Sequence, residues 1–160
     1  MISHVARALP AVIVLGAAVA GTPAAQADNR RLNESVVVNV YTIQQNNDCD
    51  TDIKINPQLQ LAAQWHTNDV LRNRALNGDI GSDGSTVQDR ANRAGFVGTV
   101  AETVAINPAL AISGIEILNQ WYHRPDYMAI MSNCANTQIG VWSENSLDRT
   151  VVVAVYGQPG

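Results

Sequence analysis

The chain has 160 residues, ten Lys+Arg against fourteen Asp+Glu, and a formal net charge of −4. With one lysine, Lys54, and no basic run, it has no electrostatic footprint for nucleic acid or an anionic membrane surface. Its length fits one domain with a sizeable core, and no repeat array or low-complexity tract interrupts it.

In chain order, residues 1–27 come first. Arg7, the 13-residue apolar run 9–21 and Ala25-Gln26-Ala27 form a cationic start, a hydrophobic segment and a small-x-small site, the pattern of a secretory leader. The apolar run is shorter than the roughly 20 residues of a membrane span, so no spanning helix is expected; an uncleaved anchor or a buried N-terminal helix is the rival. Cleavage after Ala27 would leave one domain, 28–160, at a net charge of −5, outside the cytoplasm. In an oxidising compartment, Cys49 and Cys134 allow a single intramolecular disulfide. A free thiol or a bridge between chains remains open beside it.

Four helices are expected. The first covers 30–45, with Leu32, Val36, Val40 and Ile43 on one face, although "VVVNV" also suits a strand. The second starts at Asn56-Pro57 and runs to about Leu76, stopped by Asn77-Gly78. The third is short, boxed by Ser85 and Gln88 and closed by Gly95. The fourth repeats the Asn-Pro start at 107–108 and ends near His123, before Pro125. Strands are expected at 97–103, 137–144 and 150–158, the last two joined through "NSLDR" as a hairpin. Helices first and a hairpin last predict an α+β fold with helices on a small antiparallel sheet.

The loop "DIGSDGSTVQDR" (79–90) invites ligand readings and fails them. As a calcium loop it has Gly81 at the third position and Arg90 where a chelating carboxylate belongs. As a phosphate loop it has Ser85 after its last glycine in place of lysine. A turn feeding a capped helix remains.

Six stretches then follow one another: "LQLAAQWHTNDVL" (59–71), "GSDGSTVQDRANRAGF" (81–96), "AETVA" (101–105), "WYHRPDYMAIM" (121–131), "IGVW" (139–142) and "VVVAVYGQ" (151–158). Their order resembles the CAP superfamily, the secreted domains of cysteine-rich secretory proteins, antigen 5 and pathogenesis-related proteins, and most of all its short bacterial branch. The resemblance covers roughly 30–158 and implies an α-β-α sandwich.

It also implies a central cleft that in many members holds two histidines with acidic partners able to bind zinc. Here Asp79 and Tyr127 stand in the histidine positions, Arg124 in a serine position and Thr103 in an asparagine position, while Glu102 is kept. Zinc needs about four converging ligands, usually with imidazole or thiolate among them. Two carboxylates and a phenol do not supply them, and at most a hard cation would be held weakly. No metal or other cofactor is therefore expected. His66 is expected to be packed and hydrogen-bonded, and His123 to lie at the surface or cleft rim. Arg90 is expected either to sit as a plain surface cation or to fold back onto Asp83 or Glu102. The three tryptophans are read as core or cleft wall. The function this implies is a non-enzymatic exported domain whose cleft, lined by Asp79, Glu102, Arg124 and Tyr127, takes a small, lipid-like ligand, or whose surface meets an envelope or host protein. A residual hydrolase, metal-assisted or using Asp79 and Glu102 as a carboxylate pair, is the alternative, and an interaction module with a vestigial cleft the third reading.

Overall fold

A computed structural model describes residues 23–108 and 113–160, with side chains from Asn29 onward. The leader reading, 1–27, falls almost wholly outside these residues. Helix α1 spans Pro23–Asn46, followed by β1 (Lys54–Ile55), α2 (Pro57–Arg72), α3 (Val87–Arg93), β2 (Gly98–Asn107), α4 (Gly114–Tyr122), α5 (Pro125–Met131), β3 (Gln138–Ser146) and β4 (Arg149–Pro159). The strands form one sheet in the order β1-β3-β4-β2. Three of them are antiparallel as expected, and β1 adds a parallel edge of two residues.

Strand β4 divides two cores. Val151, Val153 and Val155 face a cluster with Leu59, Ala62, Ala63 and Val70 of α2, Ala91 of α3 and Phe96. Val152, Ala154 and Tyr156 face α1, α4 and α5 through Val36, Val40, Ile117, Trp121, Tyr127 and Met131. A strand covered on both sides reads as a continuous apolar run instead of an alternating one, which explains "VVVAVY". The result is the α+β, α-β-α sandwich.

In α1 the helical reading of "VVVNV" prevails over the strand. Val36 is fully buried, Val37 partly so and Val38 is 61% exposed, which is helical and not alternating burial. Burying Leu32, Val36 and Val40 outweighs β-branched propensities of a few tenths of a kcal/mol each. Helix α2 starts as expected, with the Asn56 side chain accepting from the N–H groups of Gln58 and Leu59. It stops four residues early. Asn73 turns out of the helix with its backbone N–H and amide on the Asp69 carbonyl, and a following turn carries Leu76 onto the α2-side cluster.

The third helix begins one residue later than expected. Thr86 and Asp89 form the capping box, because the Ser85 hydroxyl is taken by Arg90. Its end does follow the sequence: Gly95 at φ +93° lets the Gly95 and Phe96 N–H groups reach the carbonyls of Asn92 and Ala91. The second Asn-Pro pair misleads. Asn107 is the last residue of β2, paired with Thr150, and α4 is capped by Ser113 and Glu116. Pro125 opens a fifth helix, unexpected from the sequence, in addition to following the fourth. Cys49 and Cys134 are joined as a disulfide. Beside it the buried Gln44 amide donates to the carbonyls of Asn133 and Asn136, tying the end of α1 to the segment between α5 and β3.

Candidate functional site

The residues expected to line a cleft gather along the outer edge of β2. Glu102 shares a face of that strand with Val104, and so looks toward α2 and α3, while Thr103 points to the other side and bonds Tyr156. Helix α2 places His66 over this edge and α3 places Arg90. One Arg90 Nη lies 3.0 and 3.2 Å from the two Glu102 oxygens. His66 Nε2 is 3.6 Å from Glu102 Oε1 and 2.8 Å from the Gly78 carbonyl. Nε2 therefore carries the proton given to Gly78, and Nδ1 is left without a partner.

Arg90 is 3% exposed and organises the glycine loop. It donates to the carbonyl of Asp79 at 2.8 Å and to the carbonyl and hydroxyl of Ser85 at 2.9 and 3.1 Å. Asp69 holds the far side through the N–H and hydroxyl of Ser82, both at 2.7 Å. A Cβ on Gly81 would collide with the Ser85 hydroxyl and the Asp83 carboxylate. The loop is a wrapping around a guanidinium, which answers the ligand question its sequence raises. Arg93, not Arg90, faces Asp83, at 3.7 Å on the surface.

Of the four sequence-selected lining residues, two are buried and two exposed. Glu102 and Tyr127 are 3% and 4% exposed; Asp79 and Arg124 are at the surface. The Tyr127 hydroxyl accepts the Val104 N–H at 3.3 Å, and the Gln88 amide accepts the Val100 N–H at 3.2 Å. Both side chains cap an otherwise open strand edge. The Arg124 guanidinium stacks 3.6 Å from the centre of the Tyr127 ring and forks onto Asp126. His123 lies apart, exposed and edge-on to Tyr122.

The electrostatics follow from enclosure. Burial pushes the Glu102 carboxyl up to about 8; the Arg90 guanidinium pulls against this and the Asp79 charge adds to it. Burial, then the same guanidinium, hold His66 below its ordinary value. Burial also raises the Tyr127 phenol, against the Val104 hydrogen bond, with Asp79 and Glu102 both adding. Asp79, Glu102 and Tyr127 thus share one electrostatic neighbourhood. Among the described residues no three His, Cys, Asp or Glu side chains converge as a metal site would require. The sequence left the Arg90 partner open between Asp83 and Glu102; only the packing of α3 against β2 selects Glu102. It gave no sign that His66 and Glu102 would meet.

A groove of about 770 Å³ opens elsewhere, between α1 and the start of α2 along β3. No residue of the cleft lines it. Among the described residues no helix is long and apolar enough to cross a membrane.

No family model matches the sequence, and the curated proteins give no match to it. Solved structures do. An outer surface protein of Borrelia burgdorferi superposes with a TM-score of 0.72 at 15% identity, covering 83% of this chain and 96% of that one. An extracellular SCP-domain protein of Bacillus anthracis gives 0.73 at 15% identity over 87% of this chain. A cysteine-rich secretory protein of Staphylococcus aureus gives 0.62 at 11% identity over 81%. This chain spans 44% and 39% of the latter two, respectively. With helices on both faces of the sheet and these neighbours, the chain has the fold of the CAP superfamily.

Proposed function

We propose that this protein is an exported, non-enzymatic CAP-fold binding module. Residues 1–27 are its leader, removed after Ala27, and 28–160 its single domain, released or kept at the cell envelope. The leader pattern and neighbours described as outer-surface, extracellular or secretory proteins support the location. One observation carries the non-enzymatic reading: Glu102, the acid kept from the family cleft, is enclosed, with both oxygens on Arg90 and His66 behind it. A general acid or base must come within hydrogen-bond reach of its substrate, and neither of these side chains has any exposed surface. Glu102 and Arg90 act as a lock holding the glycine loop to the sheet.

A ligand at this cleft would therefore meet Asp79 and Arg124 at the rim, with Glu102 and Tyr127 as the wall behind them. A small lipid-like molecule, by analogy of fold, and an envelope or host protein are the two classes of partner. A thermal-shift panel of fatty acids and sterols on the mature chain tests the first. Stabilisation by one of them is expected, reduced by Asp79→Ala and Arg124→Ala. Ester or glycoside turnover that Glu102→Gln abolishes while the fold survives would overturn the reading.

A further inference from the structure

The Asn77-Gly78 pair has no part in ending α2, which closes at Arg72 and Asn73. Asn77 is exposed, in a stretch that is neither helix nor strand, and it is the only asparagine in the sequence followed by glycine. An asparagine carboxamide is an electrophile that the backbone nitrogen of the next residue can reach by closing a succinimide ring. A side chain on that next residue shields its nitrogen, and a regular element holds the nitrogen away. Glycine has no Cβ and two soft dihedrals. Among the described residues, a Cβ built on Gly78 would meet nothing within 4 Å, so the peptide unit has room to turn. His66 fixes the Gly78 carbonyl at 2.8 Å, but both dihedrals of Gly78 lie between that carbonyl and its nitrogen.

The other candidates for the same ring are held. Asp83 precedes Gly84, yet its Oδ1 accepts the Ser85 N–H at 3.0 Å, and Ser85 keeps its carboxyl below the usual carboxylate range. It is therefore the ionised, unreactive form at neutral pH. The Gly84 N–H is itself given to the Gly81 carbonyl at 2.9 Å. Asn145 precedes the small Ser146, but it is fixed in the β3–β4 ladder opposite Thr150.

We propose that Asn77 is a self-modification site, converted through attack by the Gly78 nitrogen into aspartate or isoaspartate. The N–Cγ bond forms as the nitrogen gives its proton to water. The Cγ–Nδ2 bond then breaks, and ammonia leaves with a proton returned from water. A second water opens the succinimide. Opening at Cγ gives aspartate; opening at the backbone carbonyl gives isoaspartate, whose main chain runs through Cβ and Cγ. Either product adds a negative charge two residues from Asp79. Isoaspartate also lengthens the main chain by one carbon, about 1.5 Å. The carbonyls just beyond it, of Gly78 and Asp79, are the ones held by His66 and Arg90, each at 2.8 Å. Isoaspartate therefore shifts the tethers that hold the loop over Glu102, and aspartate does not. The site is independent of what the cleft binds.

The test keeps the mature, disulfide-closed chain in mildly alkaline buffer for weeks and maps its peptides by mass spectrometry. The mass gain of amide-to-acid conversion is expected in the peptide carrying Asn77, with isoaspartate the major product, and is lost in Asn77→Gln and Gly78→Ala. Asn145 and Asp83 should stay unchanged until urea unfolds the chain. NMR signals of the His66 ring nitrogens should shift in the aged chain, and stay in place in Asn77→Asp and in aged Gly78→Ala. An intact Asn77 in the folded chain, while a short peptide of residues 74–81 deamidates, would overturn the site, as would modification of another asparagine first. Unchanged His66 signals in a fully converted chain would overturn its link to the Glu102 lock.

Discussion

A carboxyl group withdrawn from water needs compensation, and Glu102 receives it from one guanidinium that also holds two loop carbonyls. Removing Arg90 strands all of these acceptors at once. Arg90→Ala is expected to cost about 3–5 kcal/mol in a denaturant titration, because several buried acceptors lose their donor together at roughly 1–3 kcal/mol each. The two titrating neighbours set a pH dependence. An unfolded chain releases the Glu102 proton near the ordinary value of 4.5, whereas the folded chain keeps it to about 8, so stability falls as pH rises across that window. His66, depressed below 6.5, works the other way: the unfolded chain takes up its proton first, and stability falls as pH drops below 6.5. The slopes oppose each other below 6.5, leaving a net loss between 6.5 and about 8. Unfolding midpoints measured across that range should fall for the natural chain and stay nearly level for Glu102→Gln. The sequence could nominate Glu102 and leave Arg90 two possible partners, because a side chain's partner across 12 residues depends on how helix meets strand.

At the level of elements, local chemistry was legible wherever the chain's own neighbours decide the outcome. The Asn56-Pro57 start, the Gly95 stop and the hairpin around Leu147 and Asp148 are all settled within a few residues. Tertiary pairing overrode the same kind of signal at Asn107-Pro108, where registry with Thr150 extends β2. The two-residue β1 had no sequence signature, since its pairing with β3 is its whole definition. The sequence presents Pro125 as an ending of the fourth helix, although Asp126 in the first turn and Tyr127 and Met131 four apart also mark the beginning of a fifth. Close approach between layers is set by Gly140. A Cβ there would run into the Leu59–Gln60 backbone, so α2 must lift from β3 to admit it. Gly140→Ala is expected to lower stability by about 1–3 kcal/mol, in the range of overpacked cores. Gly78→Ala, with nothing near its Cβ, should leave the melting curve nearly unchanged.

Over the whole molecule, the cysteine pair spans 85 residues, from the end of α1 to the segment before β3. A loop of that length contributes about 4–5 kcal/mol in the chain-entropy account. Calorimetry with and without reductant should show a melting temperature lower by roughly 10–20 °C when the bridge is open, at about 2–4 °C per kcal/mol for a domain of this size. A drop of only a degree or two would mean that Gln44 and its carbonyl partners already hold this corner. The two-layered helical architecture was legible from motif order, whereas the groove along β3 was not, because an edge becomes visible only when every strand has been placed.

The order of strands in space also differs from their order of synthesis. Strand β4 comes after every other described element along the chain, yet it is the partition both hydrophobic cores lean on. A nascent chain emerging from the ribosome holds two sets of apolar side chains with no wall between them, and its β1–β3 and β2–β4 pairings are of high sequence separation, which slows closure. Delayed closure leaves both apolar clusters open until β4 arrives to divide them.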